Sequence, residues 1–227
     1  SLVIERDGTP EKEISIVRDR ITLNPVIAKL QKNDRKNIGY IRLTQFNANA
    51  SMELAHAVSE LEEKGADGYI LDLRSNPGGL LQAGIEVARL WLDSGIVVYT
   101  VNRQGIQGSF ESFGPALTQD PLVVLVNQGT ASASEILAGA LQDNQRATLL
   151  GEKTFGKGLI QSLYELSDGS GLAVTIAKYE TPNHRDINKL GITPDKVVPS
   201  KPITIQEVAT SSDIQYQAAL ELLTKNS

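Results

Sequence analysis

The sequence predicts an α/β fold in which helices pack on a mostly parallel sheet. From residue 38 onward, short apolar strands alternate with segments of helical spacing, the pattern that βα units produce. Two of those strands, Tyr69-Ile70-Leu71-Asp72-Leu73 and Leu122-Val123-Val124-Leu125-Val126, are nearly or wholly apolar, as strands covered on both faces must be. Apolar residues make up 41% of the 227 residues and aromatic ones only 5%, so the core is built from Ala, Val, Leu and Ile.

The elements follow in order. Residues 1–22 alternate (Leu2, Ile4, then Ile14, Ile16 and Arg18) around the turn Asp7-Gly8-Thr9-Pro10 and read as a β-hairpin. A hairpin alone is marginally stable, so its sheet partners are expected elsewhere in a longer protein. Residues 24–37 read as a polar connector. Ile38 to Leu43 is a strand, and Ser51 to Lys64 a helix (Met52, Leu54, Ala55, Val58, Leu61) that stops before Gly65. After the Tyr69–Leu73 strand come a helix from Leu81 to Leu92, a strand from Val97 to Val101 and a Gly-containing polar loop over 102–119. The Leu122–Val126 strand leads into a helix from about Ala131 to Asp143. Strands follow near Ala147–Leu150, Leu159–Leu166 and Leu172–Tyr179, then a loop with Pro182 and Pro194, and a closing helix from Asp213 to Leu223.

Composition removes several kinds of chemistry. There is no cysteine, hence no thiol nucleophile, disulfide or thiolate metal site. Only His56 and His184 could serve a three-ligand zinc site or a Ser-His-Asp triad. His56 falls mid-helix beside Glu53 and Glu60, and His184 in a Pro-Asn-His-Arg loop, poor settings for a catalytic base. The net charge is −5 and no basic block could track a phosphate backbone, so nucleic acid is not an expected partner. No apolar run reaches membrane-spanning length.

Three segments carry chemistry. Asp72-Leu73-Arg74-Ser75-Asn76-Pro77-Gly78-Gly79 ends a strand and opens a helix; its glycines either serve a tight turn or let backbone amides approach developing negative charge. Gly129-Thr130-Ala131-Ser132-Ala133-Ser134-Glu135 is again a strand-to-helix turn. Thr130, Ser132 and Ser134 are all candidate hydroxyls there, and Ser132 with Glu135 also fits a capping box. Gly151-Glu152-Lys153-Thr154-Phe155-Gly156-Lys157-Gly158 nearly matches a phosphate-binding loop. Gly158 replaces the magnesium-binding hydroxyl, and a strand rather than a helix follows, so nucleotide binding is not expected. A lysine can activate a serine if its amine loses its proton near neutrality, which burial favours. Phe155 and Leu159 could supply an apolar wall for Lys157, and Gln161, four residues on, would share its strand face. Asp143 reads equally as a surface carboxylate.

Together, in this order and spacing, the three segments resemble the C-terminal processing (tail-specific) peptidase family over roughly residues 24–225. The resemblance implies a ClpP/crotonase-like α/β core over 38–205, preceded by the end of a PDZ domain at 1–22 and a linker at 23–37, and followed by a helical segment at 206–227. It implies Ser132 as nucleophile, Lys157 as general base, Gln161 as the residue orienting the lysine, Gly78 and Ala133 as oxyanion-binding amides, and Asp143 as an auxiliary aspartate. No cofactor is implied. The partner is a protein substrate with a free C-terminus, near a membrane only through that substrate. The segments Lys178–His184 and Asp186–Ile192 look most like the photosynthetic members, which trim a photosystem II reaction-centre precursor in the thylakoid lumen; an exported, lumenal or periplasmic location follows. A non-catalytic tail-binding scaffold and an acyl-CoA enzyme on the same fold are the alternatives.

Overall fold

A computed structural model of the chain describes residues 1–17, 19, 24–32 and 36–225. A six-stranded sheet forms its centre, built from β3 (Val26–Gln31), β4 (Ile38–Leu43), β5 (Gly68–Asp72), β8 (Leu122–Val126), β9 (Thr148–Gly151) and β12 (Lys196–Val197). Its spatial order is β12-β9-β8-β5-β4-β3, parallel throughout except for the antiparallel edge strand β3. Helices α1 (Ala50–Glu63), α2 (Leu81–Arg89) and α3 (Ala133–Asp143) cover one face, and α4 (Ile214–Lys225) covers the other.

The two faces follow from the two-residue period of a strand. Ile41, Leu43, Tyr69, Leu71, Val124 and Val126 pack toward α1–α3. Ile38, Tyr40, Ile70, Val123 and Leu125 point the other way, against Tyr216, Ala219 and Leu223 of α4. Because both faces are buried, β5 and β8 read in sequence as continuous apolar runs.

Two regions expected to be irregular are strands. Within the expected connector, Val26–Gln31 pairs antiparallel with β4, and Val26 is buried at the core edge. The flanking Asn24-Pro25 and the polar residues after it hid a six-residue edge strand. In the expected loop 102–119, β7 (Gly105–Phe113) pairs with β6 (Ser94–Asn102). These two strands join β10 (Leu159–Glu165) and β11 (Gly171–Glu180) in a second, four-stranded antiparallel sheet of order β10-β11-β6-β7. β7 is polar and largely exposed, so it carries little of the hydrophobic pattern that marks a strand.

The N-terminal hairpin is present as β1 (Leu2–Arg6) and β2 (Thr9–Ile14), a two-stranded sheet of its own. β2 begins at Thr9 and ends at Ile14, so the turn is shorter than expected and Ile16 lies beyond the strand; Arg18 falls outside the described residues. Among the described residues, no helix is long and apolar enough to cross a membrane.

Candidate active site

The site lies where β4, β5 and β8 end side by side, the end at which α/β sheets bind ligands. The turn after β5 carries Ser75 to Gly79, and the turn after β8 carries Asn127 to Ser132. Asn76 joins them from a fully buried position. Its carbonyl accepts from Ala131 N–H and Ser134 Oγ–H (both 3.0 Å), and its amide donates to the Leu43 carbonyl (2.7 Å).

The three hydroxyls that sequence left open separate by burial. Thr130 and Ser134 are fully buried and donate to the carbonyls of Leu73 (2.8 Å) and Asn76 (3.0 Å). Ser132 is only partly buried. Its backbone has φ +58° and ψ −121°, a conformation a non-glycine residue rarely adopts. Such strain costs roughly 1–3 kcal/mol and persists only where surroundings over-determine it. A strained strand-to-helix turn is also one way in which an α/β sheet can present a serine hydroxyl.

Glu135 supplies the over-determination. It is fully buried, one turn into α3. Its Oε2 accepts from the backbone N–H of Ser132 (2.9 Å) and of Lys157 (2.8 Å). Its Oε1 accepts from Gly156 N–H (2.7 Å) and from the Thr154 hydroxyl (2.5 Å). One carboxylate thus holds the serine turn and the lysine loop side by side, and Phe155 N–H adds a bond to the Thr130 carbonyl (3.0 Å). The capping-box spacing in the sequence located Glu135 but gave no sign of its reach to residues 154–157.

Gly78 shows why a glycine stands in the first turn. At φ +93°, a Cβ there would lie 2.6 Å from the Ala131 carbonyl oxygen, 2.8 Å from Ser132 Cβ and 2.9 Å from Ala133 N. The missing side chain lets the two turns touch. The Gly78 N–H itself donates to Asn76 Oδ1 (2.9 Å). The amides of Ser134 and Glu135 go to the carbonyls of Ala131 and Ser132, and that of Ala133 opens the helix.

Lys157 precedes β10 instead of lying on it, and its side chain is exposed, as are Phe155 (66%) and Leu159 (42%). The apolar wall expected around the amine is therefore not formed by those two residues. Gly156 and Gly158 pack instead against the loop 187–191: Lys189 N–H donates to the Gly156 carbonyl (2.8 Å), and a Cβ on Gly158 would lie 2.5 Å from Asn188 N. Gln161 is exposed on β10 beyond a break in register between Ile160 and Gln161, so alternation counted from residue 157 does not place the two side chains together.

Asp143 stands at the far end of α3 from Ser132, about 16 Å away at 1.5 Å per residue. Its carboxylate pairs with Arg185 and accepts from Asn183 N–H (2.9 Å), tying the 181–192 loop to the serine helix. His56 faces Glu60 on α1, and His184 stacks on Tyr99 (4.4 Å) near Glu180.

Below the first turn lies a buried ion network. Arg74 donates to Asp72 (2.6 and 2.9 Å) and to Asp213 (2.7 and 2.9 Å). Burial alone would raise the Asp213 pKa, but its bonds and charge contact with Arg74, with the amides of Ala209 and Tyr216, hold it below the usual range. Burial works against the Arg74 charge, and the two carboxylates more than offset it, so its pKa is raised.

The sequence profile of peptidase family S41 matches residues 37–198, the span that contains both turns and the lysine loop. The chain belongs to peptidase family S41. This S41 chain is 66% identical over 226 residues to a carboxyl-terminal-processing protease of Synechocystis sp., covering 99% of the chain and 53% of that protein. It is 49% identical to carboxyl-terminal-processing peptidase 2, chloroplastic, of Arabidopsis thaliana, over 86% of the chain and 39% of that protein. The solved photosystem II D1 C-terminal processing protease superposes with a TM-score of 0.76 at 44% identity, over 83% of this chain and 52% of that one. The chain spans about half the length of the curated relatives it matches.

Proposed function

We propose that this chain is the catalytic portion of a serine endopeptidase that cuts protein substrates near the C-terminus through an acyl-enzyme. The supporting observation is the shared clamp: one buried Glu135 oxygen bonds the backbones of both Ser132 and Lys157, while Ser132 is held in a strained, partly exposed conformation. Ser132 Oγ attacks the scissile carbonyl, and Lys157 Nζ takes its proton and later returns one to the leaving amine. Water then hydrolyses the acyl-enzyme.

The oxyanion is received by the Ala133 N–H and the Gly78 N–H. The second must share or release its bond to Asn76 Oδ1 when substrate arrives, a tightening common in catalytic sites. Gln161 orients the lysine, and Asp143 acts only through the loop it anchors. Substrate lying over the exposed Phe155 and Leu159 excludes water from the amine. The natural substrate in this reading is a protein with a free C-terminus, the photosystem II reaction-centre precursor, met in the thylakoid lumen or periplasm. The hairpin of β1 and β2 belongs, in this reading, to a PDZ domain that captures the tail.

Ser132→Ala and Lys157→Ala are each expected to lower cleavage by more than about a thousandfold while circular dichroism stays unchanged. Retained turnover in either variant contradicts the assignment. The exposed lysine and the internally bonded Gly78 amide favour one rival, a non-catalytic tail-binding scaffold. A covalent serine-directed probe separates them: labelling at Ser132 supports the enzyme, and tail binding without labelling supports the scaffold.

A further inference from the structure

A cavity of about 270 Å³ opens beside the two catalytic turns, between the ends of β4 and β5 and the 200–215 segment. Its volume is near the lower end of small-ligand clefts, about 300–1,000 Å³. Its charges are unbalanced. Three cations, Arg42, Arg74 and Lys201, line it with two carboxylates, Asp72 and Asp213, a surplus of one positive charge. Both carboxylates bond Arg74, whereas Arg42, beside Asp72 in the sheet register, and Lys201 make no ion pair among the described residues. The Nε–H of Arg42 is enclosed by protein without any acceptor.

The lining also has an apolar part, formed by Ile203, Ile205, Val208 and Ile214. Ile205 is 66% exposed, a large aliphatic surface left open in the lining. A surplus positive charge and isoleucines in one cavity match a ligand with a single anionic end and a short aliphatic body. A bare inorganic anion would leave the apolar wall unused, and an uncharged aliphatic group would leave both cations unpaired.

We propose that this cavity binds a carboxylate carrying a short aliphatic group, with Arg42 and Lys201 on the carboxylate and the isoleucines around the chain. Such a ligand is either the end of a peptide with an aliphatic last residue or a free short-chain acid. The site is separate from the Ser132 centre and stands whether or not Ser132 is a nucleophile. It is adjacent to that centre, however. Ser75 and Asn127 line the cavity, and Asn127 Oδ1 accepts from Ser75 N–H (2.8 Å) and Gly129 N–H (3.0 Å), at the root of the serine turn.

The test is calorimetric titration of the 227-residue chain carrying Ser132→Ala, which prevents any turnover. The probes are acetyl-Ala-Leu, its C-terminal amide, 4-methylpentanoate and inorganic phosphate. Saturable binding of acetyl-Ala-Leu is expected, with the amide roughly tenfold weaker for want of the charge. Added Arg42→Gln should weaken the acid roughly tenfold, and Lys201→Gln, at an exposed position, about threefold. Equal binding of peptide and 4-methylpentanoate identifies a free acid as sufficient; peptide binding alone identifies a chain end. Either supports the site. Amide binding as tight as acid, phosphate binding as tight as peptide, no binding of either acid, or unchanged affinity in both variants overturns it. Should Arg42→Gln fail to fold, Lys201→Gln on its exposed loop decides.

Discussion

At the residue scale, the site is held together by one side chain that takes no part in the proposed reaction. Glu135 offers two oxygens to four donors, and those donors belong to both segments that must meet. Replacing it with Gln turns one acceptor into a donor facing N–H and O–H groups. Glu135→Gln is therefore expected to cost about 2–3 kcal/mol of stability, read by urea denaturation, and to lower kcat well beyond what the stability loss explains. Gly78→Ala tests the neighbouring contact. Its Cβ would meet backbone on the serine turn, so a loss of about 1–3 kcal/mol and displacement of Ser132 are expected, with kcat falling more than KM rises. A variant with parental kinetics would show that the two turns need not touch.

At the element scale, α4 is joined to the sheet by an ion network as well as by its apolar face. Asp213 at its start meets Arg74 at the end of β5, and Tyr216 and Leu223 fill the surface beneath. Because Asp213 has its pKa lowered on folding, its contribution is fully present above the unfolded value, about 3.9, and is lost as pH falls through the lower folded value. Acid denaturation followed by tryptophan fluorescence should show this loss below about pH 4, and Asp213→Asn should flatten that part of the curve. The same variant should cost about 2–3 kcal/mol at neutral pH, since Arg74 then keeps only Asp72 as a charged partner, with Gln215 Oε1 as a neutral acceptor. An unchanged acid limb would mean that other carboxylates govern the transition.

At the scale of the whole molecule, stability is unevenly spread. β5 and β8 are central, parallel and buried on both faces, whereas the β1–β2 hairpin is a two-stranded sheet with mostly exposed residues. Native-state amide exchange should therefore be slowest in β5 and β8 and near the unprotected rate in β1–β2. Strong protection of the hairpin in the isolated chain would remove the reason for reading it as part of a larger sheet. The β10–β11 hairpin is another exposed structure, carrying Leu163 (82% exposed), Leu172 and Ile176 in the open next to the lysine loop.

The strands and helices of the central layer were readable from sequence because periodicity and burial are local consequences of side-chain polarity. The nearly apolar β5 and wholly apolar β8, the helical spacing of α1 to α3 and the capping-box start of α3 all announce themselves within a few residues. β3 and β7 did not, because an edge strand and a polar strand acquire their identity from the partner they pair with. The three chemical segments could be named in sequence, yet their contact could not, since Asn76, Glu135 and Lys157 are joined by hydrogen bonds across dozens of residues. Tertiary structure separates the three hydroxyls, leaving Ser132 partly exposed on a strained backbone and burying those of Thr130 and Ser134, which supports the proposed role of Ser132. It also moved Asp143 to the far end of the helix. Which residue types stand ready for chemistry is written in the chain; which of them meet is decided by packing, because distance in space is not a property of any local stretch.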